Sequence, residues 1–576
     1  MPRRCLGLFA LLVLLAALAG ATGVGPGIGS ATSVHPSTSH SGLPTLGSPT
    51  FFAPSDSGSG TATVSGRITA PGGPYLYDSH GRIVFFHGVN AVYKYAPYEL
   101  YPDPKKPWNF SVADASLMAR LGFNVVRLGM TWSGLEPGTA PANDPAICSR
   151  GAPRDPQQFS QAIFNRYVQR LKTTVNLLGR FHIYTILDMH QDVYNQMFDG
   201  EGAPTWAVCT NGVPSADPPG RWSLSYATKA AGIAFHHFWA NDVQGDLQGE
   251  YDRVWGDVAR SFSGNPWILG FDPFNEPFST SLIRVGDEHF DAQLECFYTG
   301  TARVGVALHG APALRCPRHD PANGVVPRVL AGDPSGLIFD EPDNYASRGF
   351  PTFIGPMNLP NLVFNVHIYC GARSPVTGNP TNVVACAFQD ARSLRKRAED
   401  RPEMASVPQP GGPAWFVSEF GATSSPLLAA SITAKMDAEQ VGWAYWSWKY
   451  YGDPTGSAAE SLVMADGRLR STASVLSRVY PQAVAGTPLR YSFSPQTDVF
   501  DMEYVPNHRI HAPTLIFVPT LVHYRHGYCA RTTGASVTSA RGSDLLVVRN
   551  DRTGSRVTVE VTPGRCVAGG PNSTRT

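Results

Sequence analysis

The hydrophobic pattern of the chain alternates between two periods from about residue 83 onward. Ile163, Tyr167, Leu171 and Leu178 recur at helical spacing, which predicts a long helix with one apolar face. A second helix is predicted from Val112 to Leu121. Between the helical stretches lie short apolar runs with the length and composition of buried strands. These runs are Ile83 to Asn90, Asn124 to Met130, Ile183 to His190, Trp267 to Phe271, Val329 to Asp333, Leu362 to Tyr369, Trp415 to Glu419 and Gly442 to Trp448.

Eight such strands with helices or loops between them indicate an α/β protein, a (β/α)8 TIM barrel, which we place at residues 71–485. After Leu489 the sequence pattern changes to short stretches of alternating apolar and polar residues, separated by Gly, Pro, Asn and Asp. This pattern predicts a C-terminal β-sandwich over 486–576. Its strands are Leu515 to Val518, Ser536 to Ser539, Leu545 to Arg549 and Arg556 to Val561. This domain either binds sugar or membrane, or stabilises the barrel by packing against it.

The N-terminal segment has the pattern of an export signal. Arg3 and Arg4 precede an apolar run from Leu6 to Leu18, and small residues follow it. This layout predicts a signal peptide over residues 1–21, with an uncleaved anchor as the alternative. Residues 22–70 are rich in Gly, Ser, Thr and Pro and carry little charge, so we predict a flexible tether there.

The charge balance and the cysteine content limit the partners and the compartment expected for this protein. The chain has 46 basic and 45 acidic residues, and this balance argues against nucleic acid as a partner. Without Cys5 in the export signal, eight cysteines remain, which predicts four disulfides in an extracellular, secreted protein. Sequential pairing is our choice among the 105 possible pairings. No pair has zinc-finger spacing, so we expect no metal and no cofactor.

Two of the predicted strands end in glutamate. The run FDPFNEP places Glu276 after Asn275 and before Pro277, and a second run places Glu419 before Phe420 and Gly421. In a parallel barrel the carboxyl ends of the strands meet at one rim, so these distant residues should converge. Burial at a strand tip should raise the pKa of Glu276 and suit it to donate a proton. The alternative is that each glutamate is only a salt-bridge partner.

Other predicted strands also end in polar or aromatic side chains, which strands that serve only packing do not need. Any one of them could be a core residue with a local hydrogen bond, but together they indicate a functional rim. They are His87, Asn90, Arg127, Asp188, His190, Asp192, Asn275, His367, Tyr369 and Trp446.

This set of residues resembles glycoside hydrolase family 5, in clan A of the barrel glycosidases. Within that family, longer stretches are similar to the endoglycoceramidases, secreted enzymes that release the whole glycan of a glycosphingolipid and leave ceramide. The matching stretches are HGVNAVYKYAPY from His87, GFNVVRLGMTWSGLEP from Gly122, LDMHQDVYNQMF from Leu187, EGAPTWAVC from Glu201 and WSWKYYGDP from Trp446.

The resemblance implies a retaining mechanism in which Glu276 is the acid/base and Glu419 the nucleophile. Arg127 and Tyr369 would keep Glu419 ionised, and Asn275 would bond the sugar 2-hydroxyl. The remaining residues, His367 among them, would bind substrate. Four of these would line the subsite for the ceramide-linked glucose, namely Lys94, His190, Asp192 and Trp446.

The expected substrate is therefore a glycolipid, reached by transient contact with a membrane or micelle surface. The alternatives are a family 5 exo-β-glucosidase acting on glucosylceramide or steryl glucoside, a β-glucanase, and a non-catalytic lectin. Apolar residues between the third and fourth strands either form a slot for the lipid tails or pack their own helices. They are Val193, Tyr194, Met197, Phe198, Trp206, Trp222, Phe235, Phe238 and Trp239.

Overall fold

The computed structural model describes residues 63–64, 66–151, 158–215, 222–279, 288–301, 316, 324–371 and 379–566. The predicted signal peptide and residues 22–62 of the predicted tether lie outside the described residues. The last part of that tether belongs to the fold, because Ile68 and Ala70 are buried and Thr69 pairs with Tyr77. The folded region therefore begins before residue 70, earlier than the predicted boundary.

The predicted TIM barrel is confirmed. Eight parallel strands follow one another around a closed barrel in the order of the sequence, and the last pairs with the first. Every residue of these strands is buried, since side chains fill the barrel inside and helices cover it outside. They follow two short strands, β1 (Leu76–Tyr77) and β2 (Ile83–Val84), and are β3 (His87–Ala91), β4 (Val125–Met130), β5 (Tyr184–Met189), β6 (Ile268–Asp272), β7 (Leu337–Asp340), β8 (Leu362–Ile368), β9 (Ala414–Gly421) and β10 (Gly442–Trp446).

Both predicted helices are present. The first begins at Val112 because Ser111 and Asp114 form a reciprocal capping box, and the long one buries Tyr167, Leu171 and Leu178 on one face. The helices are α1 (Val112–Arg120), α2 (Trp132–Leu135), α3 (Pro145–Cys148), α4 (Gln161–Gly179), α5 (Trp222–Ser225), α6 (Lys229–Ala240), α7 (Leu247–Phe262), α8 (Glu288–Thr299), α9 (Val325–Gly332), α10 (Val383–Asp400), α11 (Pro426–Glu439) and α12 (Ala473–Leu476). Single 3₁₀ turns occur at Gln196–Phe198, Thr205–Ala207, Asn344–Arg348, Arg401–Met404 and Ala458–Glu460.

The predicted strand from Val329 to Asp333 is wrong. This stretch ends helix α9, whose buried residues Val325, Val326, Val329 and Gly332 repeat at helical rather than strand spacing. The fifth barrel strand is β7, only four residues long, and it follows a turn at Gly336. The sequence analysis missed β7 because the strand is short and follows the more apolar helix α9.

The C-terminal β-domain consists of two antiparallel sheets, as predicted for a sandwich. Apolar side chains from both sheets, among them Phe85, Tyr491, Phe500, Ile516 and Val559, form one buried cluster. The first sheet has the order β1-β2-β11-β14-β17-β16 and the second the order β12-β13-β18-β15. The new strands are β11 (Tyr480–Val484), β12 (Gly486–Ser494), β13 (Val499–Pro506), β14 (Thr514–Phe517), β15 (Tyr528–Thr533), β16 (Ala535–Val537), β17 (Leu545–Asn550) and β18 (Val557–Pro563).

Two strands of this domain come from the N-terminal side of the barrel. The run predicted as one strand from Ile83 to Asn90 is split, because β2 pairs with β11 of the sandwich and β3 pairs inside the barrel. Phe517 packs on the backbone of Gly122, where a Cβ would come within 2.2 Å of the ring. These close contacts support the packing role for the domain.

The outward face of the second sheet carries ion pairs instead of an aromatic platform. Glu503 pairs with Arg490 and Arg556, and Arg531 pairs with Glu560. The four disulfides join the cysteines sequentially, as predicted: Cys148–Cys209, Cys296–Cys316, Cys370–Cys386 and Cys529–Cys566. Across the described ranges, every helix is too short or too polar to span a bilayer.

Candidate active site

The carboxyl ends of the barrel strands gather all ten predicted site residues at one rim. His87 is not among the rim residues, although the sequence suggested it. It starts β3 at the opposite end of the barrel and stacks between the rings of Trp443 and Tyr480. The ten residues at the rim are Lys94, Arg127, His190, Asp192, Asn275, Glu276, His367, Tyr369, Glu419 and Trp446.

Arg127 is the hub of the rim. It lies on β4 with no exposed surface, so its guanidinium must find all its partners inside the protein. One terminal nitrogen donates to Glu419 Oε1 at 2.6 Å, and the other donates to Asn275 Oδ1 at 2.8 Å. Further bonds join Arg127 to Asn90, Asp188, Asp272 and Glu341. Because these partners come from five other barrel strands or their ends, namely β3, β5, β6, β7 and β9, one side chain fixes the positions of most of the rim.

The two predicted glutamates face each other. One carboxylate oxygen of Glu276, one of Glu419 and a ring nitrogen of His367 all lie within 4.8 Å of one another. Glu276 has a left-handed backbone, with φ 45°, and its N–H donates to Glu341 Oε2 at 3.0 Å. That hydrogen bond holds a backbone conformation that a non-glycine residue adopts rarely.

Glu276 and Glu419 differ in their hydrogen-bond partners. Glu276 Oε1 lies 2.8 Å from His367 Nδ1, and its Oε2 accepts from Asn344 Nδ2 at 2.5 Å. Glu419 Oε2 accepts from the Tyr369 hydroxyl at 2.9 Å, while its other oxygen is bonded to Arg127. Each carboxylate is therefore oriented through both of its oxygens.

The prediction that burial raises the pKa of Glu276 is wrong for this arrangement. Burial alone would raise that pKa, but the hydrogen bond to His367 and the positive charge of His367 outweigh it, so the pKa is lowered. The pKa of Glu419 is raised to about 7, chiefly by burial, with His367 and Arg127 opposing and Glu276 and Glu341 adding to the rise. Sequence reasoning missed this because it did not place a protonated histidine beside Glu276.

His367 links the two glutamates and a third carboxylate. Its Nδ1 lies 3.5 Å from Glu419 Oε2 as well as beside Glu276, and its Nε2 lies 3.0 Å from Glu341 Oε1. Burial alone would lower the pKa of His367, but the carboxylates of Glu341 and Glu419 and the bond to Glu276 raise it well above its usual value. His367 is therefore a protonated group within reach of the pair.

Several residues of the rim were not predicted. Glu341 follows β7 and contacts Arg127, His367 and the backbone of Glu276. Misassignment of β7 concealed it, because the sequence DEPDN that follows the true strand carries the same strand-end signal as FDPFNEP. Asn344 comes from the same stretch. Its side chain donates to Glu276 Oε2, and its backbone N–H donates to the backbone oxygen of Pro277.

A second polar group lies beside the pair. Lys94 is buried, and its Nζ lies 2.5 Å from Asp192 Oδ2, 3.3 Å from Asp453 Oδ2 and 4.6 Å from the centre of the Trp446 ring. His190 stacks on Trp446 with ring centres 5.4 Å apart, and its Nδ1 is bonded to Asp188. Burial and the nearby Lys94 lower the pKa of His190, so its ring is neutral.

Neither group is proposed as a metal site. His190, Asp192 and Glu201 could approach one cation, and so could Glu276, His367 and Glu419. In the first group the Lys94 ammonium already neutralises Asp192. In the second, both ring nitrogens of His367 already contact carboxylates, Nδ1 that of Glu276 and Nε2 that of Glu341.

The predicted lipid slot between the third and fourth strands does not exist as an open surface. Tyr194, Phe198, Trp206, Phe235 and Phe238 are all at most 1 % exposed and form the buried aromatic layer under the rim. Val193 and Trp239 are buried as well, and only Met197 and Trp222 retain partial exposure. The alternative reading, in which these residues pack their own helices, is correct.

The geometry is suited to substitution at an acetal carbon. In an inverting site the two carboxyl groups stand about 6.5–9.5 Å apart to admit water, whereas a retaining site brings them to about 5–5.5 Å. Oxygens of Glu276 and Glu419 within 4.8 Å of each other match the second arrangement. One carboxylate can attack the carbon directly while the other serves the departing oxygen.

Comparisons with known proteins found two family models and several relatives that match this chain. The family model "Cellulase (glycosyl hydrolase family 5)" matches residues 110–452, and the model "Glycoside hydrolase family 5 C-terminal domain" matches residues 478–561. The chain is 28 % identical over 509 residues to Endoglycoceramidase I of Rhodococcus hoagii (strain 103S), covering 87 % of this chain and 89 % of the relative. It is also 28 % identical over 479 residues to an endoglycoceramidase of Cyanea nozakii, covering 79 % and 84 %.

Among solved structures, the fold is similar to that of endo-glycoceramidase II from Rhodococcus sp. in its lactosyl-enzyme intermediate. The TM-score is 0.65 at 23 % identity, and the similarity covers 85 % of this chain and all of that one.

Proposed function

Because the chain belongs to glycoside hydrolase family 5, we propose that it is a retaining endo-β-glycosidase that cleaves the bond between the glycan and the ceramide of glycosphingolipids. The observation that supports this most directly is the placement of Glu276 and Glu419 within 4.8 Å of each other at the barrel rim. The endoglycoceramidases that align over most of the chain support the substrate class.

In the proposed mechanism Glu419 attacks the anomeric carbon and forms a glycosyl-enzyme, which water then hydrolyses. Arg127 and Tyr369 orient the attacking carboxylate. Glu276 protonates the leaving ceramide oxygen and later removes a proton from water. Because His367 holds a proton at 2.8 Å from Glu276 Oε1, we assign it the role of supplying Glu276 with that proton.

The sugar beside the bond would occupy the second polar group. Lys94 and Asp192 can hydrogen-bond its hydroxyls, and the Trp446 ring, which Lys94 and His190 contact, would border the same position. Asn275, held by Arg127 and by the backbone oxygen of Gln191, would bond the 2-hydroxyl. The solved relative with a lactosyl group on the enzyme supports a glycan longer than one sugar on this side.

Product analysis on lactosylceramide tests the proposal. Release of intact lactose together with ceramide supports it. Free monosaccharide would indicate the exo-β-glucosidase, which trims single sugars, and cleavage of β-glucans with no action on the glycolipid would indicate a β-glucanase. A lectin would bind the glycolipid and release nothing.

The ionisation of Glu419 should set the low-pH limit of activity. Since the pKa of this carboxyl is about 7, kcat/KM on a soluble aryl glycoside should fall as the pH drops below about 7. Tyr369 donates to the ionised carboxylate and so lowers that pKa. In the Tyr369→Phe variant the limit should therefore move to higher pH. Tyr491→Phe is the matched control, since its hydroxyl lacks a hydrogen-bond partner in the described part of the chain. An unmoved or lower limit in Tyr369→Phe would contradict the assignment.

We also propose that an apolar corner of the rim meets the lipid surface. Val384 and Phe388 on α10 and Leu427 on α11 are 79 %, 74 % and 70 % exposed. The Cys370–Cys386 disulfide and Leu428 form a small buried cluster that joins the first turns of the two helices at the end of β8. The exposed face of α10 continues into Arg392 and Arg395, as in helices that insert apolar groups below anionic head groups.

The double variant Phe388→Ser, Leu427→Ser should lower activity on vesicle-borne glycolipid by about 100-fold or more, because about 1.5–3 kcal/mol of apolar burial is lost per side chain. Activity on a soluble aryl glycoside should stay unchanged. Vesicle flotation of the protein with and without the substitutions measures the contact directly. Equal binding and equal turnover on vesicles would rule out this corner as the contact surface.

Secretion is the remaining part of the proposal. Four disulfides are typical of proteins that fold in an oxidising compartment. The basic and apolar pattern at residues 1–21 supplies the export signal that such a location requires.

A further inference from the structure

A third glutamate follows a barrel strand, and the sequence around it repeats the pattern at the proposed acid/base. Glu341 comes directly after β7 and is followed by Pro342, just as Glu276 is followed by Pro277. The side chain of Glu341 is 4 % exposed, whereas that of Glu276 is 17 % exposed. Glu341 therefore lies beneath the surface that substrate reaches, and it can act on the reaction only through other residues.

The two carboxylate oxygens of Glu341 serve different partners. Oε2 accepts the backbone N–H of Glu276 at 3.0 Å. Oε1 lies 3.0 Å from His367 Nε2 and accepts from Arg127 Nη2 at 3.0 Å. Asn365 Nδ2 donates to the same oxygen at 3.3 Å. One carboxylate thus contacts both the backbone of Glu276 and the imidazole ring that contacts the side chain of Glu276.

The position of Glu341 is itself fixed by Tyr298 on helix α8. The Tyr298 hydroxyl donates to the backbone oxygen of Glu341 at 2.8 Å and accepts from its backbone N–H at 3.0 Å. Strand β7 ends at Asp340, so the buried tyrosine satisfies both backbone polar groups of the residue beyond the strand. Glu341 is therefore held through its backbone as well as through its carboxylate.

The contact with His367 decides which ring nitrogen gives up a proton. Nε2 faces Glu341 at 3.0 Å, and Nδ1 faces Glu276 Oε1 at 2.8 Å. A carboxylate beside Nε2 stabilises the proton there, so a ring that loses one proton loses it from Nδ1. That proton passes to Glu276 and on to the leaving oxygen, and His367 is left neutral with its other proton on Nε2. When Glu276 takes a proton from water in the second step, its return to Nδ1 restores the starting state.

We propose that Glu341 is a positioning residue that acts on Glu276 from two sides. It holds the backbone of Glu276 through the N–H, and through His367 it directs the proton to the side chain of Glu276. This inference rests on the proposed function, because it takes Glu276 to be the group that protonates the leaving oxygen. Glutamine cannot replace Glu341, since it offers one acceptor oxygen where these partners need two.

The variant Glu341→Gln tests this role on soluble aryl β-lactosides whose phenols differ in acidity. On a weakly acidic phenol, which must be protonated as it leaves, kcat/KM should fall about 10- to 100-fold, because the general acid is impaired but still present. On the strongly acidic dinitrophenol the loss should be less than about threefold, since that leaving group needs little protonation. A merely structural role would lower both rates equally.

Asp340→Asn is the matched control for Glu341→Gln. Asp340 is the preceding residue and is 1 % exposed. Ile338 and Phe339 belong to different buried clusters, so the side chains of β7 alternate between two faces, and Asp340 falls on the face of Ile338. Burial raises the pKa of Asp340 well above its usual value, so asparagine resembles its neutral form. This control should behave as the parent on both phenols.

Two further variants keep the test decisive, even where Glu341→Gln folds poorly. Tyr298→Phe should show the same dependence on the phenol with a smaller loss, because Glu341 keeps its carboxylate and loses only its backbone anchor. In the Glu276→Ala background, Glu341→Gln should change kcat/KM less than about threefold on either phenol, since both of its actions pass through Glu276.

Equal losses on the two phenols, no loss on either, or an undiminished loss in the Glu276→Ala background would overturn the role of Glu341. The proposed function fails separately. If glycolipids release no ceramide while the aryl lactosides show the predicted dependence on the phenol, the role of Glu341 stands and the lipid substrate is wrong.

Discussion

The Glu419→Ala variant should lose four to six orders of magnitude in kcat on every substrate, roughly the loss seen when a covalent nucleophile is removed. Good leaving groups should not rescue it, because the group that attacks the anomeric carbon is absent. Added azide should restore turnover. The cavity left by the carboxylate would admit the small anion to the same face, and the product would be a glycosyl azide of inverted configuration.

The companion variant Glu276→Ala should behave differently. Loss of a general acid costs about 10²–10⁴-fold on a glycolipid, whose alkoxide leaving group needs protonation. An aryl glycoside with a strongly acidic phenol needs little protonation, so its cleavage step should be nearly unaffected. Azide should give the product of retained configuration here, since Glu419 remains. Equal loss of both variants on the activated substrate would contradict the two assigned roles.

Replacing Arg127 with Met should have the next largest effect. The substitution leaves Asp188, Asp272, Glu341 and Glu419 facing one another without their buried cation. Breaking a buried ion network by removing one partner costs about 3–5 kcal/mol of folding free energy. The protein that still folds should also lose activity, since the pKa of Glu419 would rise further and its carboxylate would lose its orientation. Thermal unfolding and kcat measured on the same preparation report both effects.

Arg478→Met is a matched control for this experiment. Arg478 is equally buried and pairs with the buried Asp437, but it lies between the barrel and the sandwich. Its loss should lower the melting temperature while kcat of the folded protein stays near that of the parent. Arg127→Lys should not rescue activity, because an ammonium cannot reproduce the five fixed donors of the guanidinium. An Arg127→Met enzyme with normal kcat would contradict the hub role.

Much of the fold was predictable because the barrel repeats one simple signal. Each long apolar run between amphipathic helices became a strand, and polar residues at the ends of those runs marked the rim. The eight cysteines that follow the predicted export signal form disulfides in sequential pairs. The prediction failed where a strand is short or where one apolar run contains two strands. β7 has four residues, and β2 and β3 lie in one apolar run but belong to different domains.

The residues of the site were predictable, but their electrostatics were not. Strand ends identify Glu276, Glu419 and His367, yet no spacing in the sequence shows that His367 lies 2.8 Å from Glu276. The pKa order of the two glutamates depends on that contact. It is the reverse of the predicted order, in which burial raises the pKa of Glu276 while Arg127 and Tyr369 keep Glu419 ionised. The role of the aromatic residues between the third and fourth strands was not predictable for a related reason. Composition does not distinguish a ring that lines a lipid slot from one that fills a core.

The central claim is that Glu419 forms the glycosyl-enzyme with a glycan longer than one sugar. The most direct measurement is mass spectrometry of the protein after reaction with an activated 2-deoxy-2-fluoro lactoside, whose fluorine slows hydrolysis of the intermediate. We expect one adduct with the mass of the fluorinated disaccharide, located on the peptide that contains Glu419 and absent in Glu419→Ala. An adduct on another residue, or turnover with inverted product and no adduct, would contradict it.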